Sequence, residues 1–541
     1  MTRTGLLVGV LVLALLAGVA GLVVGRPGGG GGGDATQADT ATPLGDAADP
    51  TPAPETGRGD SDAAEIAPGA LPAFGPEDRL RVGGAKAGAR RLVDSGRRQV
   101  HLRGTSVNAL VDYGASHSAP VALRARDFEQ MAALGFNVTR LAVSWSKVMP
   151  RPGQLDRAYL RRISSLVRQA GRQRIYTVIS MHSDRYAADL GTGTEFDGAP
   201  AWAVFTDGQP CGDPRPRYYT ACAAAAARHF YDGESVSGRR GVDWYADAVV
   251  AVARAGRRGG AGYAGTDILN EPTDPDASPD RLATPAWTAR LHALQRTVVR
   301  RLRADGERAP VWIQPQGPRS VGASNAAVLP DLGDEDQVVY APHAYIDVYD
   351  GTPNAGTADR LRAQYARFAD EATRLRAATV IGEFPGATGG PWEELRKEHL
   401  ARQQRSGFGG IAWLWKQPAD GYGWGTLTPD GGLRADTNAA QVLSAARLLA
   451  GDRRTRVTTD GSGTVEIQAG PEGGSVDVWL GTAFDDAPAP TDRYRLENAA
   501  GATLTSAWRA EASLAGASAS GVVARLSLPA GARSVRLVPG G

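Results

Sequence analysis

Two periodicities divide this chain. Between about residues 101 and 416, short apolar runs alternate with longer stretches in which apolar residues recur every three or four positions. A bounded apolar run reads as a buried strand, and the three-to-four spacing reads as one face of a helix. Runs at 101–108, 137–145, 175–182, 265–271, 310–315, 338–345, 378–384 and 410–416 predict eight strands. Within 156–170, Leu160, Ile163, Leu166, Val167 and Ala170 share a helical face. "PAWTARLHALQRTVVRRLRA" and "ADRLRAQYARFADEATRL" set an apolar face against a charged one. Eight β–α alternations predict a (β/α)8 barrel. A doubly wound open sheet is the alternative, but neither a Walker motif nor a good dinucleotide fingerprint accompanies it. "RRLVDSGRRQVHLRG" (90–104) predicts a small hairpin around Asp94-Ser95-Gly96, and a final helix is expected near 438–449.

After Gly451 the period shortens to two. "TRVTT", "TVEIQA", "SVDVWLG", "RYRLENA", "TLTSAWR", "VVARLSL" and "SVRLVP" alternate and are separated by Gly, Pro, Asp or Asn. Such strands predict a small antiparallel β-sandwich.

The N-terminus follows neither pattern. "GLLVGVLVLALLAGVAGLVVG" follows Arg3 and carries no charge. As a helix its length would be about 31 Å, enough to span a bilayer. We expect residues 1–27 to be an uncleaved signal-anchor, with a cleaved signal peptide as the alternative. Either places the rest of the chain outside the cytoplasm, membrane-anchored or secreted. Residues 28–75 are rich in Gly, Ala, Asp, Thr and Pro, and predict a disordered linker. The expected order is then barrel over 76–450 and sandwich over 452–541. At 541 residues, two folded domains plus tails is the natural division. The formal charge of +2 gives no argument for a nucleic-acid partner. A monomer is expected.

A barrel places its chemistry at the C-terminal ends of its strands. Arg140 lies on the second strand, and His182 and Asp184 end the third. Asn270-Glu271 end the fourth, His343 and Tyr345 the sixth, and Glu383 the seventh. Trp413 and Trp415 lie on the eighth, on one face by period two, with Trp415 nearer the mouth. Two carboxylates on strands four and seven suit glycoside hydrolysis, where a retaining enzyme needs a nucleophile and an acid/base. A nearby Arg would keep the nucleophile ionised, and His and Tyr can orient it. Asn270 suits a sugar 2-hydroxyl, and Trp415 a flat floor for a sugar ring. Neither a metal nor another cofactor is required, and no Cys/His spacing suggests zinc.

This set of Arg140, His182, "NEP" at 270–272, His343 with Tyr345, "GEF" at 382–384 and Trp415 resembles glycoside hydrolase family 5, the cellulase-like retaining barrels. The resemblance covers about residues 85–450. It implies that Glu271 is the acid/base and Glu383 the nucleophile. "LRGTSVNAL", "MHSDRYA", "GAPAWAVFTDGQP" and "GYAGTDILNEP" look like the endoglycoceramidases of that family, which release glycans from glycosphingolipids and carry a C-terminal β-sandwich. Departures are Ser183 where that group usually has Gln, "GEFP" for "GEFG", and an altered first-strand motif. They touch sugar-binding positions and so concern the substrate more than the mechanism.

The insertion at about 183–242 is far longer than an ordinary loop after a barrel strand. Its Trp202, Phe205, Tyr218, Tyr219, Phe230 and Tyr231 either wall a cleft for a sugar and an apolar aglycone, or pack the loop onto the barrel. Cys211 and Cys222, the only cysteines, both lie in it and are expected to pair in an exported protein. Three readings follow: a retaining β-glycosidase on a glycosphingolipid or related glycolipid, a family 5 endo-glycanase on β-glucan or β-mannan, and a non-catalytic surface glycan-binding protein. Retention of both carboxylates argues against the last.

Overall fold

The computed structural model describes residues 68–541 except 85–89, 112–119, 184–185, 188–189, 191–197, 212–219, 278–282, 323–327, 349–352, 386–389, 418–423, 436, 460–463, 486–493, 498–500, 532–533 and 540–541. The apolar N-terminal run and most of the linker lie outside these residues. Among the described residues no helix is long and apolar enough to cross a membrane.

Eight parallel strands close into a barrel: β1 (Arg103–Leu110), β2 (Val138–Val143), β3 (Tyr176–Met181), β4 (Tyr263–Asp267), β5 (Val311–Ile313), β6 (Val338–Tyr340), β7 (Ala378–Pro385) and β8 (Gly409–Trp413). Each pairs with its neighbour in sequence, and β8 closes onto β1 with Gly410 opposite Arg103. All eight expected runs supply a strand. Apolar runs buried on both faces are what such a sheet requires, because helices cover it outside and side chains fill it inside. The helices begin where short polar residues cap them. Asp156 accepts from the Ala158 and Tyr159 amides at 2.8 and 2.9 Å, opening helix Arg157–Arg172. Thr284 caps helix Pro285–Ala304, which has proline at its first position.

The C-terminal region is a sandwich of two sheets. Its strands are β9 (Arg447–Gly451), β10 (Arg456–Thr459), β11 (Val465–Gln468), β12 (Gly474–Phe484), β13 (Tyr494–Glu497), β14 (Thr503–Leu514), β15 (Ala517–Leu528) and β16 (Val535–Pro539). β10, β11, β16 and β13 form the smaller sheet. Val457, Val465, Ile467, Val478, Val522, Leu526 and Leu537 are among the residues buried in its core. All seven segments expected after Gly451 supply strands.

The larger sheet departs from the expected boundaries. It contains β14, β15, β12 and β9, and also Gly69–Ala70, Arg81–Gly83, Arg91–Val93 and Gln99–Val100 from before the barrel. The expected hairpin therefore forms, but it extends the sandwich sheet. Residues 69–70, placed in the linker by composition, pair with Trp508 and Arg509. Phe74 stacks on Tyr176 with ring centroids 4.2 Å apart. The helix expected over 438–449 is only Ala439–Leu443, and Arg447–Gly451 is a strand. A short apolar run carries no decisive period, and pairing to Trp479 and Val478 settles it as strand. Leu80, Val82, Leu92, Val100 and Leu102 pack with Val138, Val178, Trp312 and Ile411, so this sheet plugs the N-terminal end of the barrel. The opposite end remains for chemistry.

Candidate active site

Arg140 is fully buried on β2 and spans the barrel interior. Its Nη1 donates to Glu383 Oε1 at 2.6 Å, and its Nη2 donates to Asp267 Oδ2 at 2.8 Å, Asn270 Oδ1 at 2.7 Å and Ser180 Oγ at 2.7 Å. Nε completes the fork on Asp267 at 3.0 Å. Burial works against the guanidinium charge, but Asp267 and Glu383 outweigh it and hold its pKa above the ordinary arginine value. Arginine suits this place because one planar fork can hold several acceptors at fixed angles.

Glu383, on β7, is buried at 6% exposure. Its second oxygen accepts from the Tyr345 hydroxyl at 2.8 Å, and His343 Nδ1 lies 3.4 Å away. These contacts, with Arg140 on the first oxygen, fix the carboxylate in one orientation. The strand ends of β6 and β7 lock together, with Ala344 N donating to Glu383 O at 2.9 Å and Gly382 N to Pro342 O at 2.9 Å. A Cβ on Gly382 would stand 3.0 Å from Ala341 O and His343 Cδ2, which explains glycine before the acid.

Glu271 is different. Its side chain is 31% exposed, and Oε1 lies 2.7 Å from His343 Nδ1. One oxygen of Glu271 lies within 4.8 Å of one oxygen of Glu383. The Glu271 backbone has φ 36°, a region that side-chain-bearing residues rarely adopt. Its amide donates to Gln314 Oε1 at 2.8 Å, while Gln314 Nε2 donates to Asp267 Oδ2 at 2.7 Å. The turn is further held by Gly317 N donating to Pro272 O at 2.8 Å.

His343 is pushed down to about pKa 4, chiefly by burial, with Glu383 opposing and Arg140 adding to the fall. It is therefore neutral near pH 7. A neutral ring can donate from Nδ1 to a Glu271 carboxylate, or accept at Nδ1 from a Glu271 carboxylic acid. The contact thus tolerates both protonation states, as an acid/base requires. Glu271, His343 and Glu383 are also close enough to touch one cation. Arg140 already supplies positive charge to Glu383.

The structure brings Arg140, Asn270, Glu271, His343, Tyr345 and Glu383 together. His182 stacks on Trp413, with centroids 5.6 Å apart and planes at 10°. Asp184 lies outside the described residues. Trp415 does not reach the cleft. It is buried with Leu427 and Phe136, and its indole donates to Asp127 Oδ1 at 3.1 Å. β8 stops at Trp413, so the strand alternation does not extend to Trp415. Trp413 instead joins Val111, Leu414 and Tyr345, with half-exposed Val321, Val348 and Trp424 packed against them. Asp267, Gln314 and Trp424 are members of the site that the sequence reading missed. A charged residue inside the buried run "YAGTDIL" is the signal that could have revealed Asp267.

The long insertion packs onto the barrel with its described aromatics. Trp202 meets Trp145 edge-on and donates to Met149 O at 3.1 Å, and Phe230 packs on Trp145, Tyr186 and Tyr245. Tyr218 and Tyr219 lie outside the described residues. Cys211 and Cys222 form a disulfide, with Cα atoms 5.0 Å apart.

The model of the cellulase family, glycosyl hydrolase family 5, matches residues 93–418. The chain belongs to that family. Endoglycoceramidase I of Rhodococcus hoagii (strain 103S) is 27% identical to this family 5 chain over 288 residues, covering 50% of this chain and 55% of that relative. The chain thus spans about half the length of that relative. A crystal structure of endogalactoceramidase superposes with a TM-score of 0.66 at 24% identity, covering 87% of this chain and all of that one. Endo-glycoceramidase II from Rhodococcus sp., in complex with ganglioside GM3, superposes with a TM-score of 0.66 at 22% identity, covering 84% and 100%. At these identities the superpositions establish the shared fold.

Proposed function

We propose that this family 5 member is a retaining β-glycosidase acting by double displacement on a glycosphingolipid or related glycolipid. The observation that carries the mechanism is the approach of Glu271 and Glu383 oxygens to within 4.8 Å. Carboxyl groups about 5–5.5 Å apart suit a covalent route, whereas inverting pairs stand about 6.5–9.5 Å apart to admit water. Glu383 attacks the anomeric carbon as its bond to the aglycone oxygen breaks, and Glu271 gives that oxygen its proton. A water then attacks the same carbon, Glu271 takes its proton, and Glu383 leaves. The burial of Glu383 against Arg140 and Tyr345, and the exposure of Glu271, support these roles. Asn270 donates to Ser183 O at 3.3 Å through Nδ2, and the second N–H of that amide suits a sugar 2-hydroxyl.

The lipid reading is supported by the relatives named above and by the apolar patch of Val321, Val348 and Trp424 beside Tyr345. We place the reaction outside the cytoplasm, where the disulfide persists, with the apolar N-terminal run as anchor or export signal. The test is to incubate the purified chain with defined glycosphingolipids, β-glucan and β-mannan, beside Glu271→Gln and Glu383→Gln. Release of intact glycan from lipid by wild type alone is expected. Cleavage of polysaccharide only would replace the substrate, and equal release by Glu383→Gln would overturn the mechanism.

A further inference from the structure

The two carboxylates of the site are held in different ways. Glu383 is gripped at its side chain by Arg140 and Tyr345. Glu271 is half-exposed, and where its side chain can reach is set by its backbone. That backbone leaves the sheet just before it. Asp267 on β4 stands opposite Trp312 on β5, and Ile268 N donates to Trp312 O at 3.1 Å. Asn270 N then turns to the other side and donates to Met181 O, at the end of β3, at 3.1 Å. The Glu271 amide comes back toward β5 but meets a side chain there, Gln314 Oε1, at 2.8 Å.

Gln314 follows β5 directly and is 2% exposed. Its two polar ends face unlike partners. A backbone amide donates and a carboxylate accepts, so one orientation of the glutamine amide serves both. Oε1 accepts from Glu271 N, and Nε2 donates to Asp267 Oδ2 at 2.7 Å. That same oxygen accepts from Nε and Nη2 of Arg140, whose Nη1 holds Glu383. A chain of bonds therefore runs from the Glu271 backbone through Gln314, Asp267 and Arg140 to Glu383. A backbone at φ 36° persists where its surroundings hold it, and Gln314 supplies a buried, oriented hold at that residue.

We propose that Gln314 is a positioning residue for the acid/base, tying the backbone of Glu271 to the Arg140–Asp267 pair that fixes Glu383. The role rests on the retaining glycolipid reading given above. Without Gln314, Asp267 keeps Arg140 and the Ser180 hydroxyl, so the Glu383 side of the site stays held. The Glu271 amide loses a buried acceptor, and its carboxyl drifts from the aglycone oxygen. The loss therefore falls on proton transfer more than on attack.

The test is Gln314→Met, assayed on glucosyl-, galactosyl- and lactosylceramide and on the dinitrophenyl β-glycosides of the same sugars. Dinitrophenolate leaves without a proton, whereas the ceramide oxygen needs one. On the lipid that wild type cleaves, kcat/KM should fall about a hundredfold. On the matching aryl glycoside it should fall far less. There kcat and KM should drop together, because water still needs a base to free the sugar from Glu383. Added azide should restore that kcat. Azide attacks the anomeric carbon, the bond to the Glu383 oxygen breaks, its electron pair returns to the carboxylate, and no proton moves. Gln314→Asn, one methylene short of both partners, should show the same split where Gln314→Met does not fold. Gln314→Glu should recover most of the loss. Beside Asp267 its carboxyl holds a proton, and so can both accept and donate. Equal falls on lipid and aryl glycoside, or no effect of azide, would overturn the role and leave the retaining reading standing. Wild type inactive on all three lipids would overturn the glycolipid reading and this role with it.

Discussion

Arg140 and Arg447 are both buried arginines, at opposite ends of one barrel. Arg140 meets two carboxylates, an amide oxygen and a hydroxyl, and its pKa rises. Arg447 meets one backbone carbonyl and a like-charged neighbour, and its pKa falls. The same side chain thus acts in two ways. At the open end the charge is already answered and serves to fix Glu383 in place. At the plugged end the charge meets no carboxylate among the described residues, and Nε and Nη1 are left without a hydrogen-bond partner. A buried cation is therefore informative through its partners more than through its burial.

The largest effect should fall on the paired end. Glu383→Gln removes the oxygen proposed to attack yet keeps a hydrogen-bonding group beside Arg140, so kcat should drop by roughly 10^4-fold or more, with Tm nearly unchanged. Turnover and thermal unfolding measured on one preparation check both halves. Next comes one substitution made at both ends. Arg140→Met strands buried Asp267 without its cation and should cost about 3–5 kcal/mol. Arg447→Met removes a charge with no carboxylate partner among the described residues and loses one hydrogen bond, so it should change stability by less than about 1 kcal/mol. Denaturant titration separates these, and similar losses at both ends would break the comparison.

The paired end was largely legible in the sequence, because each barrel strand is short, apolar and ends abruptly in a polar residue. Asn270, Glu271, His343, Tyr345 and Glu383 stand at or near such ends, and Arg140 lies within the second strand. Asp267 was hidden because it lies inside a run that reads as plain strand. Gln314 was hidden because one glutamine after "VWI" carries no local pattern. Trp415 misled because alternation holds only while the strand lasts. The plugged end was scarcely legible. Its pairing of Gln99 and Val100 with Gly451 and Ala450 spans more than three hundred residues, and no local period encodes that.

Two further measurements lie away from both arginines. Replacing Cys211 and Cys222 with Ser opens a loop spanning eleven residues of separation. The cost should be about 3 kcal/mol in the chain-entropy model. Since the described insertion aromatics pack outward of the cleft, kcat at low temperature should hold while Tm falls. A smaller effect per group comes from acid. The fold holds His101, His343 and His399 neutral, with pKa values near 3, 4 and 3 against an ordinary 6.5. The unfolded chain therefore binds protons first. Stability should be fully present above pH 6.5 and fall as pH drops from there toward 4, by about 1.4 kcal/mol per pH unit for each histidine. His101→Gln and His343→Gln should each lower the slope by one proton, one at each end of the barrel. A flat stability profile between pH 6.5 and 4.5 would contradict this.

The central claim is that Glu271 and Glu383 act across one glycosidic bond by double displacement. The anomeric configuration of the first-formed sugar tests it most directly, followed by proton NMR as a β-linked glycolipid is cleaved. The account predicts that the β anomer appears first and the α anomer only later, by mutarotation. Initial appearance of the α anomer would show inversion and would contradict a covalent step at Glu383.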